Sequence, residues 1–342
     1  MISQWGYDND FNSLYLANKK TYNELTSSKI LVTGATGLVG TCLTEFLIFL
    51  KKEKNIDITI TALSSSKSNL MNRFEKHIAS GDVNIIEHDI RLPFSLIHSF
   101  DTIFHAASVA NPSKYENEPV DVIDVIVQGT RNVLELAKSC KARVLYISTV
   151  EVYGDISHIQ NDVTEDTFGS LDPYKVRCSY TESKRLAETL CKAYEAQYDL
   201  NIRVSRLSKV YGPSNTETDN RVMAYILSCV REKKDVILNS DGTRIFSFCY
   251  VTDAVSGMMT ALLNGASGEA YNISDANSVC SLREIAEYSA QLASLSVSLQ
   301  PAGISEISKD TVVNSRKLIA LGWTPTTGIY DGLRKQISAI SN

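Results

Sequence analysis

Thr33-Gly34-Ala35-Thr36-Gly37-Leu38-Val39-Gly40 decides the reading of this chain. It follows the apolar run Lys29-Ile30-Leu31-Val32, suited to a buried parallel strand, and leads into Thr41-Cys42-Leu43-Thr44-Glu45-Phe46-Leu47, which keeps helical spacing. Strand, glycine-rich turn and helix in immediate succession form a dinucleotide cradle. Glycines admit backbone N–H groups to a pyrophosphate at a helix N-terminus, where the macrodipole favours negative charge. A glycine triplet alone is only a tight turn; the flanking patterns give it meaning. A second string, Tyr180-Thr181-Glu182-Ser183-Lys184, puts a phenol and an ammonium on one helix face. A nearby ammonium stabilises phenolate and lowers a pKa that starts near ~10, so Lys184 is expected to make Tyr180 a base for a hydroxyl. A third, Ser148-Thr149-Val150-Glu151-Val152-Tyr153-Gly154, ends the strand pattern Val144-Leu145-Tyr146-Ile147. Its polar residues belong at the C-terminal edge of a sheet, where ligands of α/β folds bind. Cradle and tunable phenol together imply hydride chemistry.

Working outward, strand patterns at 30–33, 58–63, 84–87, 102–105, 144–148 and 203–207 alternate with helical stretches around 38–52, 119–140 and 177–199. This predicts an α/β fold, a Rossmann-type doubly wound parallel sheet with a smaller C-terminal substrate lobe. The expected division is an N-terminal extension over 1–28, a dinucleotide-binding domain over 29–208 to which 248–266 returns, and a substrate lobe from 209–247 and 267–342. Within the lobe, 218–232 reads as helix and 235–248 mainly as strand. In the extension, Phe11, Leu14, Tyr15, Tyr22 and Leu25 suit a helix packing on the domain or on a neighbour. The 342 residues carry a net charge of −5 with no basic stripe, so no nucleic-acid partner is expected. No stretch approaches the ~20 apolar residues of a membrane span, and the first residues lack a signal-peptide pattern. Seven scattered cysteines without a C-x-x-C and five dispersed histidines suggest a reducing cytoplasm and no metal site.

These strings, with His88-Asp89, His105-Ala106-Ala107, Val210-Tyr211-Gly212-Pro213, Tyr250-Val251-Thr252-Asp253 and Leu321-Gly322-Trp323-Thr324-Pro325, resemble the extended short-chain dehydrogenase/reductases of the nucleotide-sugar epimerase/dehydratase group over about 29–335. Arg177-Cys178-Ser179-Tyr180 with Glu182, Lys184-Arg185 and the Thr149/Glu151 pair looks most like UDP-glucuronate decarboxylases. The resemblance implies NAD or NADP as cofactor and a nucleotide-diphosphate sugar as substrate. It implies Tyr180 as base, Lys184 as its partner and a ribose ligand, Thr149 beside the substrate oxygen, and Glu151 as a second acid/base. Gly34, Thr36, Gly37, Leu38, Val39, Ser64, Asp89, Ile90, His105, Ala106 and Ala107 would hold the dinucleotide, with Asp89 on the adenine. Ser108, Lys209, Arg221 and Arg244 would meet the substrate. His105 also reads as a packed strand-end residue, and Asp253 as an N-cap for the helix after it.

The chain departs from that pattern in three places. No acid follows the second strand in Ala62-Leu63-Ser64-Ser65-Ser66-Lys67, which leans toward tolerance of NADP. Lys209 stands where an asparagine is usual. Phe246 stands where an arginine is usual, with Arg244 on the same strand face as its substitute. Oxidation at sugar C4 acidifies C3 and C5 and turns a C5 carboxylate into a labile β-keto acid. Val150, beside Glu151, cannot protonate a leaving hydroxyl, which favours epimerisation or decarboxylation over dehydration. A 4-keto-sugar or small carbonyl reductase and a non-catalytic dinucleotide binder are the alternatives, against which retention of Thr149, Glu151, Tyr180 and Lys184 argues. The helices around 119–138 and 180–198, with Val122, Ile126, Val133, Leu186 and Leu190 on apolar faces, suggest a homodimer.

Overall fold

In the computed structural model, which describes residues 2–95, 99–156, 163–213, 221–300 and 312–341, the apolar run before the glycines is an interior strand of a seven-stranded sheet. Its strands are β1 (Ser28–Thr33), β2 (Ile58–Ser64), β3 (Asn84–Glu87), β4 (Thr102–His105), β5 (Arg143–Thr149) and β6 (Ile202–Leu207), joined by a later strand, Glu269–Ile273. Counting β7 (Lys209–Tyr211), β8 (Val236–Leu238) and β9 (Ile245–Tyr250) before it, that strand is β10. The order is β10-β6-β5-β4-β1-β2-β3 and every pairing is parallel. Chain direction across the sheet reverses between β1 and β4, the switch point at which such folds open a ligand crevice. The sequence reading sent everything from residue 267 onward to the lobe. Glu269–Ile273 instead pairs with Arg203–Leu207, and its buried Tyr271 and Ile273 pack beside Gly265 and Gly257.

Helices α1 (Asp8–Tyr22), α2 (Leu38–Glu53), α3 (Lys67–Ala79), α4 (Pro112–Asn117), α5 (Pro119–Ile123), α6 (Gly129–Cys140) and α7 (Cys178–Tyr198) precede the lobe. After them come α8 (Val222–Glu232), α9 (Val251–Asn264), α10 (Leu282–Ala293), α11 (Arg316–Ile319) and α12 (Ile329–Ser341). Residues 218–220 of the expected lobe helix lie outside the described residues. The stretch expected as one helix over 119–140 is broken by a wide π turn, Asp124–Gln128. There the Thr130 hydroxyl donates to the Ile126 carbonyl (2.5 Å), and Gly129 lies so close to Ile90 that a Cβ would approach it to 2.8 Å. The lobe adds two small sheets, β9 between β7 and a strand β11 (Val279–Ser281), and β8 beside β12 (Val297–Leu299).

One helix explains the extension. α2 is buried all round from Thr41 to Leu50, as a helix apolar on every side must be. The sheet and α9 take part of that surface. α1 covers the rest with Tyr7, Phe11, Leu14 and Tyr22, each at most 2% exposed. Phe11 packs on Phe46 and Phe49 with ring centroids 5.3 and 5.7 Å away. Side chains buried to this degree contribute about 1.5–3 kcal/mol each. Within this apolar layer lies one carboxyl, Glu45, which accepts a 2.6 Å hydrogen bond from Ser3 Oγ. The strap around Ser3 is tied at Ile2, whose N–H donates to Asp8 (2.8 Å) and whose carbonyl meets His77 Nε2 (3.1 Å).

The other face of the sheet is covered by α5, α6 and α7. Val122, Ile126 and Val133, expected at a dimer interface, are at most 1% exposed inside this core, packed with Leu31, Ile103 and Val144. Asp253 does not cap α9, which begins after Tyr250. It sits in the first turn and accepts from the N–H groups of Thr326 (3.0 Å) and Thr327 (2.8 Å), while Trp323 Nε1 donates to its carbonyl. The Leu-Gly-Trp-x-Pro string is thus an anchor for the C-terminal segment. All seven cysteines are free. Among the described residues no helix is long and apolar enough to cross a membrane.

Candidate active site

A cleft of about 980 Å³ runs along the carboxyl ends of the parallel strands, with lobe residues on its far wall. Its floor is the glycine turn, and the three glycines there do different jobs. Gly34 leaves β1 at φ +65°, and a Cβ on it would come within 2.7 Å of the Ala106 backbone. A Cβ on Gly40 would lie 2.2 Å from the Gly34 carbonyl oxygen. Both are glycine because backbone packs against backbone. Gly37, at the N-cap of α2, has an ordinary 3.5 Å neighbour and faces the cleft. It is the position where a side chain would fill ligand space without disturbing the chain.

Thr36, Leu38, Val39, Ser64, Asp89, Ile90, Ala106, Ala107 and Ser108 line the cleft with Gly34 and Gly37. His105 does not. Its ring is pinned between the hydroxyls of Thr33 (2.8 Å from Nδ1) and Thr130 (3.2 Å from Nε2). Burial, followed by the charge of Lys184, pushes it down to about 3, so it is a neutral tie between strands. Asp89, also on the cleft wall, is gripped by Arg91, whose Nη2 is 2.7 Å away. Those hydrogen bonds hold its carboxyl below the usual range. The site fits a dinucleotide on its own features: a helix N-terminus opening into the cleft, room over Gly37, and the buried hydroxyls of Ser108 and Ser208, which find no partner among the described residues.

At the other end, β5 delivers Thr149 and the short turn Val150–Tyr153 delivers Glu151, whose N–H donates to Thr149 Oγ1 (3.2 Å). The first turn of α7 brings Tyr180 to the same place. The phenol differs from expectation. Burial, reinforced by the Glu151 carboxylate, pushes Tyr180 up, while Thr149, Arg221 and Tyr115 pull the other way. Lys184 has contacts of its own. Its Nζ donates to the Ile147 carbonyl (2.8 Å) and lies 4.8 Å from the Tyr146 ring centroid. Burial lowers it to about 8. Helical spacing puts the two residues on one face of α7, but it carries no information on how dry that face is.

Lys209, Arg221 and Arg244 line the lobe side of the cleft. Lys209 Nζ and Arg244 Cζ lie 4.3 and 4.5 Å from the centroid of the Phe246 ring, so the aromatic residue at the usual arginine position supports two cations. Lys209 is open to the cleft although deep in the fold, and burial lowers it against the pull of Glu151. Three residues were not singled out for the site by sequence reasoning. Tyr115 stacks on Tyr180 with centroids 4.4 Å apart and planes at 10°. Arg177 pairs loosely with Glu151 (3.4 Å) and lies 5.5 Å from the Tyr115 ring. Arg91 was hidden by the His-Asp string before it. Arg177 had a signal, its place just before α7, whereas Tyr115 sits on a six-residue helix with no pattern of its own. Among the described residues no group of three or more His, Cys, Asp or Glu is placed to hold a metal ion.

The NAD dependent epimerase/dehydratase family model matches residues 30–274. Over 325 residues the chain is 34% identical to UDP-glucuronic acid decarboxylase 6 of Arabidopsis thaliana, covering 93% of this chain and 90% of that one. It is 32% identical to UDP-glucuronic acid decarboxylase 1 of Xenopus tropicalis over 330 residues, covering 93% and 73%. Its fold is similar to the crystal structure of UDP-glucuronic acid 4-epimerase from Bacillus cereus with UDP-glucuronic acid and NAD. That match has a TM-score of 0.78 at 23% identity and covers 92% of this chain and 99% of that one.

Proposed function

This chain belongs to the NAD-dependent epimerase/dehydratase family, and we propose that it oxidises a nucleotide-diphosphate-linked sugar acid at C4, decarboxylates it and reduces the ketone again. The observation that carries this reading is the meeting of Thr149, Glu151 and Tyr180 at one end of a cleft whose other end is the glycine cradle. Gly37 and the N-terminus of α2 would hold NAD, which when bound would supply the acceptor and later the donor of the C4 hydride. Tyr180, once ionised with Lys184 as its charge partner, takes the C4 hydroxyl proton and returns it at the end, with Thr149 orienting that oxygen. Glu151 stands on the C5 side and delivers the proton that replaces the lost carboxylate. The cations Lys209, Arg221 and Arg244 match the charge of a diphosphate.

Mass analysis of products from a panel of nucleotide sugars tests this directly. Loss of CO₂ from a uronate supports it. Unchanged mass with inverted C4 selects epimerisation, which uses the same residues, and no turnover of any nucleotide sugar removes the reading. For Glu151→Gln, reduced nicotinamide should still appear while product stalls and solvent deuterium fails to enter the ring. Full product yield with normal deuterium uptake would make Glu151 a scaffold residue paired to Arg177. A homodimer is proposed through α5 and α7, where Val120, Ile123 and Leu186 are 67%, 41% and 48% exposed. A monomer by light scattering at micromolar concentration would refute it.

A further inference from the structure

One turn of α7 beyond Lys184, on the same face, sits Glu188. Its carboxylate joins three elements. Ser148 Oγ, next to Thr149 at the end of β5, donates to it at 2.5 Å, and Arg206 of β6 donates through Nε (3.1 Å) and Nη2 (2.7 Å). The side chains of this ion pair are only 12% and 13% exposed. Arg206 also donates to the Tyr153 hydroxyl (3.1 Å) and the Glu165 carbonyl (2.9 Å), and Tyr153 donates to Asn272 of β10 (2.5 Å). Neither Glu188 nor Arg206 lines the cleft.

The surroundings of Lys184 explain why a carboxylate belongs there. Its neighbours from other elements are Tyr146 of β5 and His105 of β4; on its own helix they are Cys191 and Glu188. Burial pushes Tyr146 and Cys191 up and His105 down, so these three are neutral near pH 7. Glu188, one turn further along the same face of α7, is the carboxylate whose charge favours this ammonium.

We propose that Glu188 is a positioning residue for the Tyr180–Lys184 pair, locking α7 to the strand end that carries Thr149 and holding the Lys184 ammonium in its charged form. The proposal rests on the functional reading above for the use of that pair, but its geometry stands without it. The burial of the ammonium, which lowers it to about 8, is what makes a single facing carboxylate consequential.

The test titrates NADH binding by nicotinamide fluorescence from pH 6 to 10, in parallel with the pH profile of kcat/KM on whichever nucleotide sugar is turned over. Glu188→Gln keeps the hydrogen-bond acceptor and removes the charge. Its alkaline limb should move down by about one pH unit. Arg206→Gln breaks the same cross-tie but leaves the Glu188 charge, and should not lower that limb. Equal downward movement in both variants would reduce Glu188 to a structural tie, and an unmoved limb in Glu188→Gln overturns the proposal. Melting curves of both variants confirm that folded protein is compared. Because NADH binding is read independently of substrate, failure to turn over any nucleotide sugar would remove the functional reading while leaving this test intact.

Discussion

Replacing Glu45 by glutamine should stabilise the protein more strongly the higher the pH. Glu45 is 1% exposed in the apolar layer between α2 and the N-terminal strap. Burial, only partly offset by the Ser3 hydrogen bond, pushes its carboxyl up to about 8 from an ordinary value of 4.5. Below pH 4.5 the group is neutral in folded and unfolded chains and contributes no pH dependence. Between 4.5 and 8 the unfolded chain ionises first, so stability falls as pH rises; above 8 the loss is complete. At 1.36 kcal/mol per decade the full difference is about 5 kcal/mol. Peeling of the strap around Ser3 lets water reach the carboxylate and caps the loss, so the observable range is about 2–5 kcal/mol. Glutamine retains an acceptor for Ser3 Oγ and cannot ionise. Urea unfolding at pH 5, 7 and 9 should therefore show a gap between Glu45→Gln and wild type that widens by that amount. A gap constant to within about 0.5 kcal/mol would refute the reasoning.

Tyr180→Phe should keep the fold and NADH affinity while turnover drops about 10²–10⁴-fold, measured by steady-state kinetics; activity near wild type would move the base elsewhere. Gly40→Ala should cost about 3 kcal/mol or more in unfolding experiments, because its Cβ would overlap the Gly34 carbonyl oxygen. Gly37→Val should fold yet bind NADH about 10²-fold more weakly by fluorescence titration, and equal behaviour of these two variants would contradict the division of labour among the glycines. Burial would lift Asp82, but hydrogen bonds from Lys52, Ser80 and His77 bring it down to about 2. Its stabilisation is present above pH 4 and lost as pH falls toward 2. Asp82→Asn should therefore destabilise at pH 7 and matter little at pH 2 in thermal melts.

The parallel strands were legible because each is a short apolar run closed by turn residues, and the cradle because strand, glycines and helix adjoin in sequence. Thr149, Tyr180 and Arg221 all line the cleft, and the first two stood out because each sits at the end of a recognisable element. What the sequence concealed is three-dimensional. Val122, Ile126 and Val133 form an apolar stripe that suits an interface as well as a core, and only the position of the sheet decides between them. Whether Lys184 meets Tyr180 or the Ile147 carbonyl depends on the depth of α7, which helical spacing does not encode. The strand Glu269–Ile273 was missed because nothing in its five residues says which of two sheets it joins.

That late strand has a consequence for how the chain is made. β6 is complete at Leu207, but its outer edge acquires a partner only when Ile273 has left the ribosome. At about 5–20 residues per second this takes roughly 3–13 s. Throughout that interval the backbone of Ile202–Leu207 presents an unpaired ribbon to other nascent chains. The lobe segment synthesised in between, and α9 after it, must fold or be chaperoned while the sheet is still open on one side. Slow translation or a stall between residues 208 and 268 therefore endangers the yield of folded protein more than a stall of equal length before β1.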